Sequence, residues 1–219
     1  MKTRVAILIS GRGSNMMALV EAAKAADYPA EIVAVLSNRP EAGGLEYAHV
    51  NDIATEVVDH KSFASREEFD QALHARLAAH NIDLICLAGF MRLLTPWFVQ
   101  QWEGKIINIH PSLLPLFKGL HPHRQALEAG VRIHGCSIHI VTPEMDAGPI
   151  VAQAAVPVLH NDTDATLGER VLKVEHELYP HALALLASGK INATSERINF
   201  APGLKDLSSL PLLSPRLEK

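Results

Sequence analysis

The stretch Lys105-Ile106-Ile107-Asn108-Ile109-His110-Pro111-Ser112-Leu113-Leu114-Pro115 joins an apolar segment to a loop. Its isoleucines predict a buried strand, and an amide and an imidazole lie two residues apart where that apolar run ends. In extended backbone, residues i and i+2 point the same way, so Asn108 and His110 can face one site. An amide can stabilise a developing oxyanion, and an imidazole can carry a proton near neutral pH. The alternative is a histidine satisfied at a strand end beside a turn.

Strand-like and helix-like patterns alternate on both sides of this stretch. Apolar runs predict strands at 5–9, 32–36, 55–58, 83–88, 133–141 and 150–157, and helices are predicted at 14–26, 41–51, 65–80, 122–129 and 162–188. Near-continuous apolar strands between helices are typical of a sheet covered on both faces. We therefore predict an α/β fold, a single Rossmann-like domain with a mostly parallel twisted sheet and helices on both faces.

The chain of 219 residues is long enough to bury one sizeable core without a second domain. We expect that domain to span residues 1–189. The tail 190–219 is less periodic and richer in Ser, Pro and Leu. It is predicted to be in part an edge strand, around Ile198-Asn199-Phe200, or disordered.

Charge and composition narrow the classes of partner. The net charge of -4 lacks the basic surplus of a nucleic-acid binder, and apolar runs end well before the roughly 18 residues of a membrane span. The apolar run at 5–9 is interrupted by Ser10-Gly11-Arg12-Gly13, which favours a strand over a signal peptide. Two cysteines in strand-like runs fit a reducing cytoplasm, so we expect a cytoplasmic protein.

The glycine loop Ser10-Gly11-Arg12-Gly13-Ser14-Asn15 connects the first strand to the first helix. Glycine lets the backbone approach a ligand, and the N–H groups at a helix start can bind phosphate. A dinucleotide loop would have a third glycine where Met16 stands and an acidic residue near Asn38. Both are absent, so the loop predicts a mononucleotide phosphate rather than NAD. A tight turn without a ligand is the alternative.

Three further positions carry candidate chemistry. Asp146 lies in the turn-rich loop 142–149, which could deliver a carboxylate to His110, although Asp before a small residue and Gly is also ordinary turn chemistry. His139 lies in a strand and is predicted to be structural. Glu175 falls within the apolar stripe of the last long helix, where a carboxylate is either paired in the interior or faces a cleft.

A metal is not predicted. His121 and His123 have metal-ligand spacing, but no convincing third ligand accompanies them.

Five motifs then occur in order: Ser10-Gly11-x-Gly13-Ser14-Asn15, Ala88-Gly89-Phe90-Met91-Arg92, the stretch 108–115, Gly119-Leu120-His121 and Asp146-x-Gly148-Pro149. By these motifs, the chain from residue 4 to about residue 189 resembles the folate-dependent formyltransferases. The resemblance implies transfer of a formyl group from 10-formyltetrahydrofolate, a co-substrate, to the amine of glycinamide ribonucleotide in purine biosynthesis. It also implies that the N-terminal part of the domain binds the ribonucleotide, while the C-terminal part binds folate and carries catalysis.

The resemblance assigns roles residue by residue. The catalytic positions it implies are Asn108, His110 and Asp146. The positions implied for glycinamide ribonucleotide are Gly13, Ser14, Asn15 and Glu175. The positions implied for formylfolate are Arg66, Met91, Arg92, Leu93, Leu94, Asn108, Thr142, Pro143, Glu144, Met145 and Asp146. Arg12 and Leu172 depart from the residues familiar at those places, which bears on phosphate affinity rather than on the reaction.

Relatives that share the three implied catalytic residues (the trio Asn108, His110 and Asp146) catalyse different reactions. A formyltetrahydrofolate deformylase resembles this domain with a regulatory domain in front, and a methionyl-tRNA formyltransferase has an added domain behind; neither addition is expected here. A mononucleotide-binding protein without catalysis is the other alternative, but it would not need the trio to converge. We expect a monomer or homodimer with the two small-molecule substrates as partners, and no nucleic acid, membrane or metal.

Overall fold

The computed structural model describes residues 1–202, which form seven strands of one sheet, a separate small hairpin and six α-helices. The strands are β1 (Thr3–Ile9), β2 (Ala30–Ser37), β3 (Ala54–Val57), β4 (Leu84–Leu87), β5 (Ile106–His110), β6 (Ile133–Ile140), β7 (Ile150–Pro157), β8 (Ile191–Ala193) and β9 (Ile198–Phe200). The helices are α1 (Ser14–Ala23), α2 (Gly44–Val50), α3 (Arg66–Ala79), α4 (Pro96–Gln101), α5 (Pro122–Glu128) and α6 (Asp164–Ala187), with a short 3-10 helix at His60–Ser62.

The main sheet has the strand order β3-β2-β1-β4-β5-β6-β7. Its first five strands pair in parallel, and β6 and β7 are antiparallel additions at one side. One apolar core lies between the sheet and the helices α1, α2 and α6, and a second lies between the opposite face and the helices α3 and α4. The predicted α/β fold with a mostly parallel sheet and helices on both faces is confirmed.

The strand order reverses between β1 and β4, which are neighbours although β2 and β3 separate them in the chain. At such a switch point the loops after the two strands diverge and leave a crevice beyond their carboxyl ends. Here the glycine loop after β1 and the segment 88–95 after β4 lie side by side, since the Ser10 N–H donates to the Gly89 carbonyl at 3.2 Å. The topology therefore brings two of the predicted motifs together.

Local sequence signals explain where the long helices begin. The Ser65 hydroxyl accepts from the Glu68 N–H and starts α3, while the Glu68 carboxylate accepts from the Ala64 N–H rather than from the cap residue itself. Thr163 and Thr166 form a reciprocal capping box at the start of α6.

The tail differs from the prediction. Ile198–Phe200 is a strand, but it pairs antiparallel with Ile191–Ala193 in a two-stranded sheet and does not extend the main sheet. A three-residue strand can be satisfied by the nearest chain segment, so a local hairpin replaces the long-range pairing that we expected. The remainder of the predicted tail, residues 203–219, lies outside the described residues.

Candidate active site

Asn108 and His110 lie inside β5, not after it, so the strand extends further than the apolar run suggested. The paired strand β6 explains the extension, because Asn108 lies opposite His139 and His110 lies opposite Ser137 in the antiparallel ladder. Directly opposite residues of such a ladder share one face of the sheet. Asn108, His110 and His139 therefore face the same side, away from Ile107 and Ile109.

Both ring nitrogens of His110 face acceptors. Its Nε2 donates to the Phe117 carbonyl at 2.9 Å, and its Nδ1 lies 3.4 Å from an Asp146 carboxylate oxygen. His110 is 6% exposed, so little water competes for these partners. An imidazole carrying protons on both nitrogens would satisfy both acceptors at once.

His139, which we predicted to be structural, lies at the centre of this group. Its Nδ1 donates to the Ile140 carbonyl at 3.0 Å, while its Nε2 lies 3.2 Å from the Asn108 amide nitrogen and 3.5 Å from Asp146. This position could not be identified from β6 considered as an isolated strand. The alternation of β6 matches that of β5, and pairing the two patterns would have placed His139 beside Asn108.

Asp146 is held by both histidines and by the backbone. It adopts a left-handed conformation with φ of 50°, and its carboxylate accepts from the Gly119 N–H at 3.0 Å. Burial alone would raise the pKa of this carboxyl, but the hydrogen bonds from His139 and Gly119 and the charges of His110 and His139 outweigh it and lower the pKa. The carboxylate therefore stays charged at neutral pH.

A cavity of about 490 Å³ opens beside this group. Apolar side chains form most of its wall, and Asn108, His139 and Asp146 supply polar groups, which suits a ring system with a polar reacting end. It brings together every residue predicted for formylfolate except Arg66, which instead donates to the Leu93 carbonyl at 2.9 Å. The lining residues that were not predicted for formylfolate are Leu87, Phe90, Val99, Gly119, Leu120, His139 and Val141.

The glycine loop leads into α1, whose N-cap is Gly13 with φ of 71°. A side chain is disfavoured there, both by that conformation and because an added Cβ would lie 3.0 Å from Met16 Cε. Ser14 and Asn15 open the helix, and the Arg12 residue beside them is exposed. The loop therefore presents a helix N-terminus with a nearby cation.

Glu175 of α6 reaches the start of α1. Its carboxylate accepts from the Asn15 amide nitrogen at 2.7 Å, and the residue is 6% exposed. Burial raises the pKa of Glu175, and the hydrogen bond from Asn15 opposes that rise. The Asn15 amide oxygen is buried and lacks a hydrogen-bond partner among the residues described. The structure thus brings together two of the residues predicted for the ribonucleotide.

His123, from the proline-rich loop, forms a pair with His134 of β6. A nitrogen of His123 lies 3.2 Å from a nitrogen of His134. Burial, and to a smaller extent the charge of His123, lowers the pKa of His134 to about 4. Within residues 1–202, no three His, Cys, Asp or Glu side chains are grouped so that they could hold a metal ion. No helix in this described part combines the length and the apolar character needed to cross a membrane.

The formyl transferase family model matches residues 3–183. Among curated proteins, phosphoribosylglycinamide formyltransferase of Escherichia coli (strain K12) is 44% identical over 187 residues, which cover 85% of this chain and 88% of that protein. The crystal structure of phosphoribosylglycinamide formyltransferase from Brucella melitensis superposes with a TM-score of 0.83 at 55% identity, covering 89% of this chain and all of that one.

A longer relative is also similar. The trifunctional purine biosynthetic protein adenosine-3 of Gallus gallus is 53% identical over 190 residues, which are 87% of this chain. The matched region is 19% of that protein's length, so the chain corresponds to about a fifth of the trifunctional relative.

Proposed function

The chain belongs to the formyl transferase family, and from that premise we propose that it is a phosphoribosylglycinamide formyltransferase. It transfers the formyl group of 10-formyltetrahydrofolate to the amine of glycinamide ribonucleotide in purine biosynthesis. The observation that carries the proposal is the group formed by Asn108, Asp146 and His110: the first two line the cavity, and His110 Nδ1 lies 3.4 Å from the Asp146 carboxylate, in a chain of 44% identity to an E. coli enzyme of that name.

The reaction proposed for this site is a direct acyl transfer. The substrate amine attacks the formyl carbon, the formyl C=O becomes an oxyanion, and a tetrahedral intermediate forms. The Asn108 amide donates to that oxyanion, and the positive charge of a protonated His110, which the charged Asp146 orients, stabilises it electrostatically. The amine nitrogen then loses a proton, the bond from the formyl carbon to the folate nitrogen breaks, and that nitrogen accepts a proton. No metal and no covalent enzyme intermediate is part of this scheme.

The ribonucleotide subsite in this proposal lies at the start of α1. Backbone N–H groups of Gly13, Ser14 and Asn15 bind the phosphate at the helix N-terminus, where the helix dipole favours an anion. The Glu175 carboxylate accepts from the amine-bearing end of the substrate. The hydrogen bond between Asn15 and Glu175 supports this assignment, because it places the carboxylate next to the helix N-terminus that binds the phosphate.

The formylfolate subsite in this proposal is the cavity. Met91, Arg92, Leu93 and Leu94 form one wall and the segment 142–146 forms another, while Arg66 lies behind Leu93. We further propose a cytoplasmic location, which the two buried free cysteines support, and a monomeric or homodimeric enzyme with no nucleic-acid or membrane partner.

Purified protein mixed with 10-formyltetrahydrofolate, with and without glycinamide ribonucleotide, tests the function. We expect tetrahydrofolate to form only with the ribonucleotide, in equal amount to formylated ribonucleotide. Formate released without the ribonucleotide would instead identify a deformylase. The absence of either product would favour a non-catalytic nucleotide-binding protein.

A further inference from the structure

The segment 88–95 supplies five consecutive lining residues of the cavity, 90–94 (the cavity wall), yet it has no regular structure of its own. Two of its apolar side chains, Met91 and Leu93, are 68% and 57% exposed, while Phe90 and Leu94 are only partly buried against the second core. A segment with few buried contacts samples many conformations unless other elements restrain it. Its shape must therefore come from contacts to its neighbours.

Helix α3 supplies three of those contacts from one face. Arg66, Phe69 and Asp70 have the i, i+3, i+4 spacing that places side chains together on a helix surface. Arg66 donates to the Leu93 carbonyl at 2.9 Å, and the Arg92 guanidinium lies 4.6 Å from the centre of the Phe69 ring. The third contact belongs to Asp70, whose carboxylate accepts from the Thr95 N–H at 2.6 Å.

Asp70 is the most constrained member of this group. It has no exposed surface, and its second carboxylate oxygen lacks a hydrogen-bond partner within residues 1–202. An unpaired buried carboxylate is unfavourable for stability alone. The Arg92 Nε is likewise buried and without a partner in the described region. Burial raises the pKa of Asp70, and the hydrogen bonds from Thr95, followed by the charges of Arg92 and Arg66, oppose that rise.

The bond to Thr95 also sets the element that follows. Thr95 is the N-cap of α4, and its hydroxyl accepts from the Phe98 N–H. Val99 of that helix lines the cavity. At the other end of the segment, the Met91 N–H donates to the Ser10 hydroxyl at 2.7 Å. The wall is thus held at both ends, by Ser10 of the glycine loop at Met91 and by α3 at Thr95.

From these contacts we infer that Asp70 is a positioning residue for the formylfolate subsite: it fixes the segment 91–95 in the shape that lines the cavity. The inference rests on the proposed function, since it identifies which substrate this wall serves. Asp70 touches neither substrate, and it acts through Thr95 and through the two arginines beside it. Loss of Asp70 should therefore weaken formylfolate recognition and leave ribonucleotide recognition intact.

Steady-state kinetics of Asp70→Ala and Asp70→Asn test the inference. Asp70→Ala removes the acceptor of the Thr95 N–H, and we expect the KM for 10-formyltetrahydrofolate to rise about tenfold. Asp70→Asn keeps an acceptor but removes the charge, so its rise should be smaller, about threefold. The KM for glycinamide ribonucleotide should stay within about twofold in both. Glu67→Gln, an exposed acid-to-amide change in the same helical turn, is the control and should match the wild type.

Trypsin provides a second measurement that does not depend on activity. Cleavage after Arg92 requires the segment to leave its anchored shape, so that bond should be cut several-fold faster in both Asp70 variants. Cleavage after Arg76, in the last turn of α3, should not change, which separates local release of the segment from unfolding.

Three outcomes would overturn the inference: an unchanged KM for formylfolate in both variants, equal changes in both KM values, or unchanged cleavage after Arg92. If Asp70→Ala does not fold, Asp70→Asn alone decides by the same criteria. Failure of the proposed function is distinguishable, because then the wild type and Glu67→Gln also form no formylated ribonucleotide, while the trypsin measurement still reports on the anchor.

Discussion

Replacing Asp146 by Asn isolates the charge of the carboxylate from its shape. Asn tolerates the left-handed backbone at this position, and its side-chain oxygen can still accept from the Gly119 N–H. The fold of the loop 142–149 should therefore persist. The variant removes the negative charge that faces His110 and His139, so its effect on turnover measures what that charge contributes.

The distances set the size of the effect. Unit charges at the 3.4 Å between His110 Nδ1 and Asp146 interact by about 5 kcal/mol at an effective dielectric constant of about 20. The two side chains are 7% and 10% exposed and border an open cavity, so we take about half of this value, roughly 2.5 kcal/mol. At about 1.4 kcal/mol per decade of rate, kcat should fall roughly 50- to 100-fold.

Stopped-flow or steady-state formation of tetrahydrofolate at saturating concentrations of both substrates measures this effect. The KM for glycinamide ribonucleotide should change little, because the ribonucleotide subsite that we propose at α1 is formed by other residues. Asp27→Asn, at an exposed position after α1, is the matched control and should retain full turnover. A folded Asp146→Asn enzyme with a kcat within about threefold of the wild type would refute the electrostatic role of Asp146.

Three other substitutions follow from the structure. Glu175→Gln removes the buried charge beside Asn15, and in steady-state kinetics we expect the KM for glycinamide ribonucleotide to rise about tenfold while the KM for formylfolate stays unchanged. Wild-type values of both KM constants would count against the proposed ribonucleotide subsite. Because the pKa of His134 is lowered to about 4, only the unfolded chain gains a proton at this residue as the pH falls below about 6.5, and the folded state loses stability. His134→Gln should therefore reduce the loss of Tm between about pH 7 and about pH 5, and a loss identical to that of the wild type would contradict this. Asp162 accepts two hydrogen bonds of 2.7 Å from Arg170, which hold the pKa of the carboxyl far below its usual range, so the stability that this pair adds is present above about pH 4 and lost on acidification. Thermal melts of Asp162→Asn should therefore show a lower Tm at neutral pH and a smaller dependence of Tm on acid, and a Tm equal to that of the wild type at both pH values would contradict this.

The parts of the fold that depend on periodicity were predictable from the sequence. β7 spans Ile150–Pro157, matching the predicted segment, and α6 spans Asp164–Ala187 with a threonine cap, within the helix predicted at 162–188. Both signals are local, since apolar runs and caps act within a few residues. The small hairpin at 191–200 was not predictable in the same way, because a three-residue strand carries no pattern that identifies its partner.

In the candidate site too, the features set by local sequence were predictable and those set by contacts between distant segments were not. Asn108 and His110 share a face by local geometry, and Asp146 was expected beside them because its loop follows a strand. The anchoring of the cavity wall by Asp70 needed the structure, since the spacing of α3 marks Phe69 as core and gives no reason to look at the next residue. Contacts between an irregular segment and a helix leave no periodic trace in either.

The position of His139 shows how strongly the site depends on register. In β6, Ile138 and Ile140 pack into the core with Ile107 and Ile109, while His139 faces the cavity with Asn108. The pairing of β6 with β7 shifts between Ile138 and His139, and such irregularities commonly redirect side chains beside functional sites. A slip of β6 by one residue would place an isoleucine against the Asp146 carboxylate and move the imidazole into the apolar core. The cost of burying an unpaired imidazole and stranding a carboxylate opposes that slip, so the same register that fills the core also assembles the polar site.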